Sequence, residues 1–303
     1  MLRSRLLAAG YRDDEVRRMC RRRGLVSVRP GAYVDPNDER LREPEARHAL
    51  AVRAAVEQLG PGAVVSHASA AVLLGIALWG VALDRVHMSR PGSAGGRRSR
   101  HLHLNVGSLD GDEVGEVGGI AVTAVPRTVA DLMRTLPFEQ AVVVADDALH
   151  RGLVAGAELA DALARSPRRH GTAAALRVLA FADGRAESPG ESRSRVRMWR
   201  AGLPKPDLQV GVTDGAGRSL GRADFGWPEH GVVGEFDGRV KYGRLLQPGE
   251  EPGEVVFREK VREDGIRDSG LRVARWIWAE LEPFDDLATR LRRSLGGAPS
   301  LAR

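Results

Sequence analysis

The chain has 303 residues, 43% hydrophobic and 5% aromatic, which suits two or three globular domains, each with its own core. Cys20 is the single cysteine, which excludes an intramolecular disulfide and any CxxC metal or iron–sulfur site and fits a reducing cytoplasm. The net charge of +6 is local: residues 1–30 carry nine arginines against three acids, an excess equal to that of the whole chain, and such a segment attracts phosphate backbones.

Leu2 to Ala9 and Asp13 to Arg23 read as two short helices, the second with an acidic first turn and a basic last turn that suit the helix dipole. Leu25 to Val34 alternates apolar and polar residues around Pro30-Gly31, the pattern of a small hairpin. Two helices and a hairpin predict a winged helix-turn-helix over residues 1–40. Its second helix would carry Arg17, Arg18, Arg21, Arg22 and Arg23 toward DNA, with Arg29 on the wing. Taken alone, the basic helix is as well explained as a solvated face; the hairpin tips the reading toward DNA binding.

Residues 41–183 read as a mixed α/β region. Helices are predicted over Glu43–Leu59 and Ser66–Leu74, strands over Arg85–Ser89, His101–Val106 and Gly119–Thr123, and helices from Pro126 to about Leu136 and over Phe138–Arg151. Two alanine-rich helices, Ala155–Ala164 and Arg169–Ala182, lead to a boundary at Asp183-Gly184. The uncharged run 58–83 is interrupted by Pro61, Ser66, His67, Ser69 and four glycines, so it predicts a buried helix and no membrane span. The apolar stretch Leu6–Gly10 is too short for a signal-peptide core. His67, His87, His101 and His103 have no carboxylate or cysteine at ligand spacing, and structural or surface roles are expected for them.

Residues 184–296 carry the chemistry. Glu191 lies near the start of a helix predicted over Pro189–Ala201, where an i,i+4 pair with Arg195 is the structural alternative to a functional role. Ser219–Phe225 and Val232–Phe236 are short strands around the turn residues Trp227-Pro-Glu-His-Gly231, which brings Asp224 close to Glu235. Glu235 and Asp237 share a strand face while Phe236 points the other way, and Gly238 lets the backbone bend. Hard cations such as Mg²⁺ or Mn²⁺ take oxygen ligands from one or two carboxylates and substrate phosphate, so Asp224, Glu235 and Asp237 are candidate metal ligands. Lys241 is the candidate cation for developing negative charge, one of three lysines among 46 basic residues. A loop is expected over Gly243–Gly253, then a helix over Glu254–Ser269, a strand Leu271–Trp276 and a last helix from about Ala279 to Ser294. Lys260, Arg267 and Arg275 are candidate phosphate contacts, though a solvated charged face is the commoner reading, and Trp276 and Trp278 are expected in the core rather than stacked on bases.

Glu187-Ser-Pro-Gly-Glu-Ser, Gly221-Arg-Ala-Asp-Phe, Gly234-Glu-Phe-Asp-Gly and Arg262-Glu-Asp-Gly-Ile-Arg267 occur in the order that resembles very-short-patch-repair endonucleases of the PD-(D/E)xK class. The resemblance covers roughly residues 185–282 and implies a restriction-endonuclease-like α/β fold. In it Asp224 and Glu235 would be metal ligands, and Glu191 a third acid. Asp237 stands where the wider class has the lysine of its E-x-K motif, and Lys241 where closer relatives have histidine. Over residues 1–152, Arg22-Arg-Gly-Leu-Val-Ser-Val-Arg-Pro-Gly-Ala-Tyr-Val and Ser66-His-Ala-Ser-Ala-Ala-Val-Leu-Leu-Gly resemble AbiEi-type antitoxins. That resemblance implies a transcriptional autoregulator and a cognate toxin as partner. The expectation is a cytoplasmic DNA-binding protein, α+β overall, with a metal-dependent endonuclease-like domain (catalytic residues Glu191, Asp224, Glu235, Asp237 and Lys241). The alternative is a non-catalytic regulator that keeps the nuclease fold for binding.

Overall fold

A computed structural model of the chain describes residues 1–60, 62–92, 95–165, 169–214, 216–238, 265 and 268–296. It divides into two compact units, Met1–Ala182 and Asp183–Arg303. Both combine helices with sheets, so the protein is mixed α/β, and among the described residues no helix is long and apolar enough to cross a membrane.

The first unit begins with helices α1 (Arg3–Ala8) and α2 (Asp13–Arg21) and an antiparallel hairpin of β1 (Val26–Arg29) and β2 (Ala32–Val34). Gly31 takes φ +74° at the hairpin turn, the left-handed conformation that glycine adopts without strain. Leu2 bridges to Ala32, and Leu6 of α1 and Val16 of α2 are buried. The hairpin is tied to α3 (Pro44–Leu59), since Gln58 Nε2 donates to the Pro30 carbonyl at 3.0 Å. Arg5 also pairs with Glu57.

A six-stranded sheet follows in the order β5-β6-β4-β3-β8-β7, formed by β3 (Val64–Val65), β4 (Val86–Pro91), β5 (Arg97–Arg98), β6 (Leu102–Gly107), β7 (Val114–Val117) and β8 (Ile120–Thr123). β4 with β6 and β3 with β8 are parallel pairs, and the remaining neighbours are antiparallel. Val52, Ala55, Val65, Met88 and Val122 pack α3 onto this sheet. Helices α4 (His67–Leu74), α5 (Val125–Thr135), α6 (Phe138–His150), α7 (Gly156–Ala164) and α8 (Thr172–Phe181) complete the unit. α8 starts three residues later than the sequence predicts. Gly171, at φ +82°, sits so close to the Arg134 carbonyl that a Cβ there would meet its oxygen at 2.2 Å, which fixes the helix start. Ion pairs bind α5 to its surroundings: the buried Arg127 bonds Glu113 at 2.6 Å and Asp131 at 2.7 Å, and Asp131 also takes the buried Arg134 at 3.2 Å and the half-buried Arg169 at 3.3 Å.

The second unit runs α9 (Pro189–Arg200), β9 (Asp207–Thr213), β10 (Ser219–Trp227), β11 (Val232–Asp237), β12 (Arg272–Ile277) and α10 (Asp285–Gly296). Its sheet has the order β12-β11-β10-β9, antiparallel except for the parallel pair β11–β12. Phe225, Trp227, Val232, Phe236 and Trp276 from the sheet join Met198 of α9 and Leu287 and Leu291 of α10 in one apolar cluster. Trp276 is 1% exposed and its indole donates to Ser194 Oγ at 2.8 Å, so the expected core role holds. The last helix starts at Asp285, not at Ala279, because Pro283 cannot continue a helix; residues Trp278–Glu280 form a single 3₁₀ turn. The loop expected over residues 243–253 lies outside the described residues, as does the helix expected over 254–269 apart from 265, 268 and 269.

Candidate functional site

The hairpin β10–β11 pairs Trp227 with Val232, Gly226 with Val233 and Phe225 with Gly234. Gly231 at φ +61° closes its turn, and Trp227 belongs to the strand rather than to the turn. Gly234 has no room for a side chain: a Cβ would stand 2.7 Å from Trp276 and 3.2 Å from Trp227. The ladder ends at Phe225 and Gly234, and Asp224 and Glu235 are the next residues along the two strands. Just beyond it, Asp224 Oδ2 accepts the Phe236 backbone N–H at 2.8 Å. Glu235 is 9% exposed and accepts Arg275 Nε at 2.9 Å, and these two residues are also register partners in the parallel ladder. Asp237, two residues further along β11, is half-buried and lies opposite Ile277.

Glu191 comes to the same neighbourhood from α9. Ser188 caps that helix and accepts the Glu191 N–H, while its hydroxyl donates to Glu191 Oε1 at 2.7 Å. Glu191 Oε2 accepts the Glu187 N–H at 2.9 Å and the Gln209 side-chain amide at 2.8 Å. Burial first, and the nearby Asp224 charge second, raise the Glu191 carboxyl above the ordinary glutamate range. Gln209 stands on β9 at φ +55°, an unusual conformation for a non-glycine residue. A Cβ on Gly190 would lie 1.9 Å from the Phe236 ring, so α9 meets β11 at that glycine and at no other side-chain size.

Glu191, Asp224 and Glu235 are thus brought to adjoining elements, and Arg275 joins them through Glu235. Lys241, Lys260 and Arg267 lie outside the described residues. Among the described residues, no group of three or more His, Cys, Asp or Glu side chains is arranged to hold a metal ion. Sequence reasoning missed Gln209 and Ser188. Gln209 had no motif, whereas the Ser188 and Glu191 pair was legible as a capping box, S-x-x-E, before an amphipathic run.

The predicted basic surface in the first unit is only partly free. On α2, Arg17 pairs with Asp13 at 2.9 Å and Arg18 with Asp14 at 2.9 Å, so the acidic first turn neutralises two of the arginines. Arg21, Arg22 and Arg23 are exposed at the helix end, and Arg23 takes φ +60°. Arg29 is half-buried on β1, with Nε and Nη1 out of solvent and unpartnered. His67, His87 and His103 form a row of tilted rings with centroids 5.6 and 5.1 Å apart. The neighbouring His48 bridges the Leu83 carbonyl and Ser69 Oγ.

Fold and site together define a two-unit α/β protein whose second unit gathers buried carboxylates on a helix and a hairpin. The chain is 31% identical, over 77% of its own length and 83% of theirs, to the uncharacterized proteins Rv2248 and MT2308 of two Mycobacterium tuberculosis strains. It belongs to the family that contains them. No protein-family model matches the chain.

Proposed function

We propose that the second unit is a metal-dependent phosphodiesterase of the PD-(D/E)xK type, and that the N-terminal helices and hairpin act as a winged helix that brings it to DNA. The observation that carries this reading is that Asp224 and Glu235 follow the last paired residues of adjacent strands, with Asp224 bonded to the backbone beside Glu235 and Glu191 of α9 close enough to feel the Asp224 charge. The donor chemistry fits Mg²⁺ or Mn²⁺: all oxygen, with one or two carboxylates leaving positions for water and substrate phosphate. Asp224 and Glu235 would hold the ion, which supplies polarisation of the phosphoryl group and an acidified water. The protein's own residues do the rest. The Phe236 N–H orients Asp224, Arg275 orients Glu235, and Ser188, the Glu187 N–H and Gln209 fix the Glu191 carboxyl beside them. Asp237 would orient the substrate or a second ion, and Lys241 would neutralise the pentacovalent phosphate.

A second reading is a non-catalytic regulator, in line with an AbiEi-like antitoxin acting on its own promoter and on a cognate toxin. It is favoured by the Arg275–Glu235 pair, which already satisfies one of the two carboxylates. Two assays separate the readings: cleavage of single-stranded, duplex and mismatched DNA and of RNA with Mg²⁺ or Mn²⁺ beside Asp224→Asn, and binding of the promoter without metal. Cleavage that the variant loses supports the first reading. Metal-independent binding of the promoter, lost in Arg21→Ala/Arg22→Ala, without cleavage of any substrate, supports the second.

A further inference from the structure

In the first unit a cleft of about 190 Å³ opens between the hairpin, the start of α3 and the start of β4; its walls include Arg29, Arg47, His48, Asp84, Arg85 and His101. Three guanidinium groups face one carboxylate there. Arg85 reaches Asp84 only at 3.7 Å, and Arg85 Nε is buried without a hydrogen-bond acceptor. Arg29 Nε and Nη1 are likewise buried without an acceptor, and burial alone pulls the Arg29 guanidinium below its usual range. Arg47 is exposed at the mouth. His48 adds wall and no charge-seeking atom: its Nδ1 donates to Leu83 O at 2.9 Å, which leaves Nε2 as the acceptor of the Ser69 hydroxyl at 2.8 Å. A folded protein rarely leaves buried donors unsatisfied, and each such donor costs free energy until an acceptor arrives. These donors call for oxygen acceptors, and with three cations in the walls against one carboxylate an anionic one fits the charge of the cleft.

We propose that this cleft is a phosphate-binding site, in which the forks of Arg29 and Arg85 grip the oxygens of a phosphoryl group and Arg47 closes over it. Guanidinium forks match tetrahedral oxyanions with paired hydrogen bonds, and three cations against one acid suit a doubly charged group better than a carboxylate. The phosphoryl group has two sources, a nucleic-acid backbone passing the hairpin or a free mononucleotide. Only the first source rests on the reading of the N-terminal segment as a DNA-binding element. The site is separate from the carboxylates of the second unit and stands whether or not those cleave.

The test titrates the full chain with inorganic phosphate at constant ionic strength, by calorimetry and thermal unfolding, with chloride as the reference anion. Saturable phosphate binding that raises the unfolding temperature is expected. Arg85→Gln and Arg29→Gln should weaken it about tenfold or more, the effect of one charge-assisted hydrogen bond. Arg47→Gln removes an exposed side chain that has no hydrogen-bond or ion-pair partner among the described residues, so it should weaken binding without loss of fold. Arg293→Gln, at an exposed arginine of α10, should leave binding unchanged. A duplex of about 20 base pairs that displaces phosphate identifies the backbone as occupant, and displacement by adenosine 5′-monophosphate alone identifies a nucleotide. No saturable phosphate response beyond chloride, or an equal response in the Arg29, Arg47 and Arg85 variants, overturns the proposal. A duplex that fails to bind at all refutes the DNA reading while leaving the phosphate titration intact.

Discussion

Gly190→Ala isolates the contact that positions both Glu191 and Asp224. In an ordinary helix this substitution stabilises by about 1 kcal/mol, because glycine pays more backbone entropy. Here the new Cβ would sit 1.9, 2.3 and 2.6 Å from three atoms of the Phe236 ring, all inside the 3.0 Å that real Cβ atoms respect. The ring has nowhere to go: Phe236 is 3% exposed and stands edge-on to Trp278 at 5.1 Å, with the Arg193 guanidinium 5.6 Å from that indole. Overpacking of a filled core costs about 1–3 kcal/mol, and an overlap of this depth belongs at the upper end. Net of helix propensity, a loss of about 2 kcal/mol is expected. Four of the five tryptophans lie in the second unit, so urea unfolding followed by tryptophan fluorescence reads it directly. Gly211→Ala on β9, with nothing within 4 Å of its Cβ, serves as the control and should stay within about 0.5 kcal/mol of wild type. A Gly190→Ala protein as stable as the parent would refute the packing argument.

In the first unit, Asp131→Asn leaves Arg127, Arg134 and Arg169 facing one another without their shared carboxylate, and breaking a buried pair of this kind costs about 3–5 kcal/mol. The lowered urea midpoint should be plain by circular dichroism, and an unchanged midpoint would count against the network. Burial holds His48, His67 and His87 below the ordinary histidine range, His87 at about 3. Each group binds its proton more readily unfolded than folded, so stability is full above about pH 6.5 and falls as pH drops toward the folded values, by about 1.4 kcal/mol per pH unit for each. Stability that stays flat from about pH 7 to 5 in urea titrations contradicts this sign.

Legibility in the sequence followed periodicity. Helices α3, α4, α6 and α9, the β1–β2 hairpin and the strands around Asp224 and Glu235 emerged within a few residues of their observed limits, because each couples a regular apolar spacing to a cap or turn residue. Strand β9 did not emerge, although Leu208, Val210 and Val212 alternate; it is an edge strand broken by the positive-φ Gln209. With it went Gln209 itself, whose contact with Glu191 spans 18 residues and has no local signature. Arg275 was legible as a cation but not as the partner of Glu235, since that pairing depends on the parallel register of β11 and β12. Charge counting likewise overstated α2, where Asp13 and Asp14 take up Arg17 and Arg18.

The central claim rests on Asp224 and Glu235, and the direct measurement is metal-dependent cleavage by the purified full chain beside Asp224→Asn. Asparagine keeps the shape and an oxygen for the Phe236 N–H while removing the charge that would hold the ion. With Mg²⁺ or Mn²⁺, the wild type should cut at least one of single-stranded DNA, duplex DNA, mismatched DNA or RNA, and the folded variant should be slower by about 100-fold or more. A wild type that cuts none of these, or a variant that cuts as fast, contradicts the account.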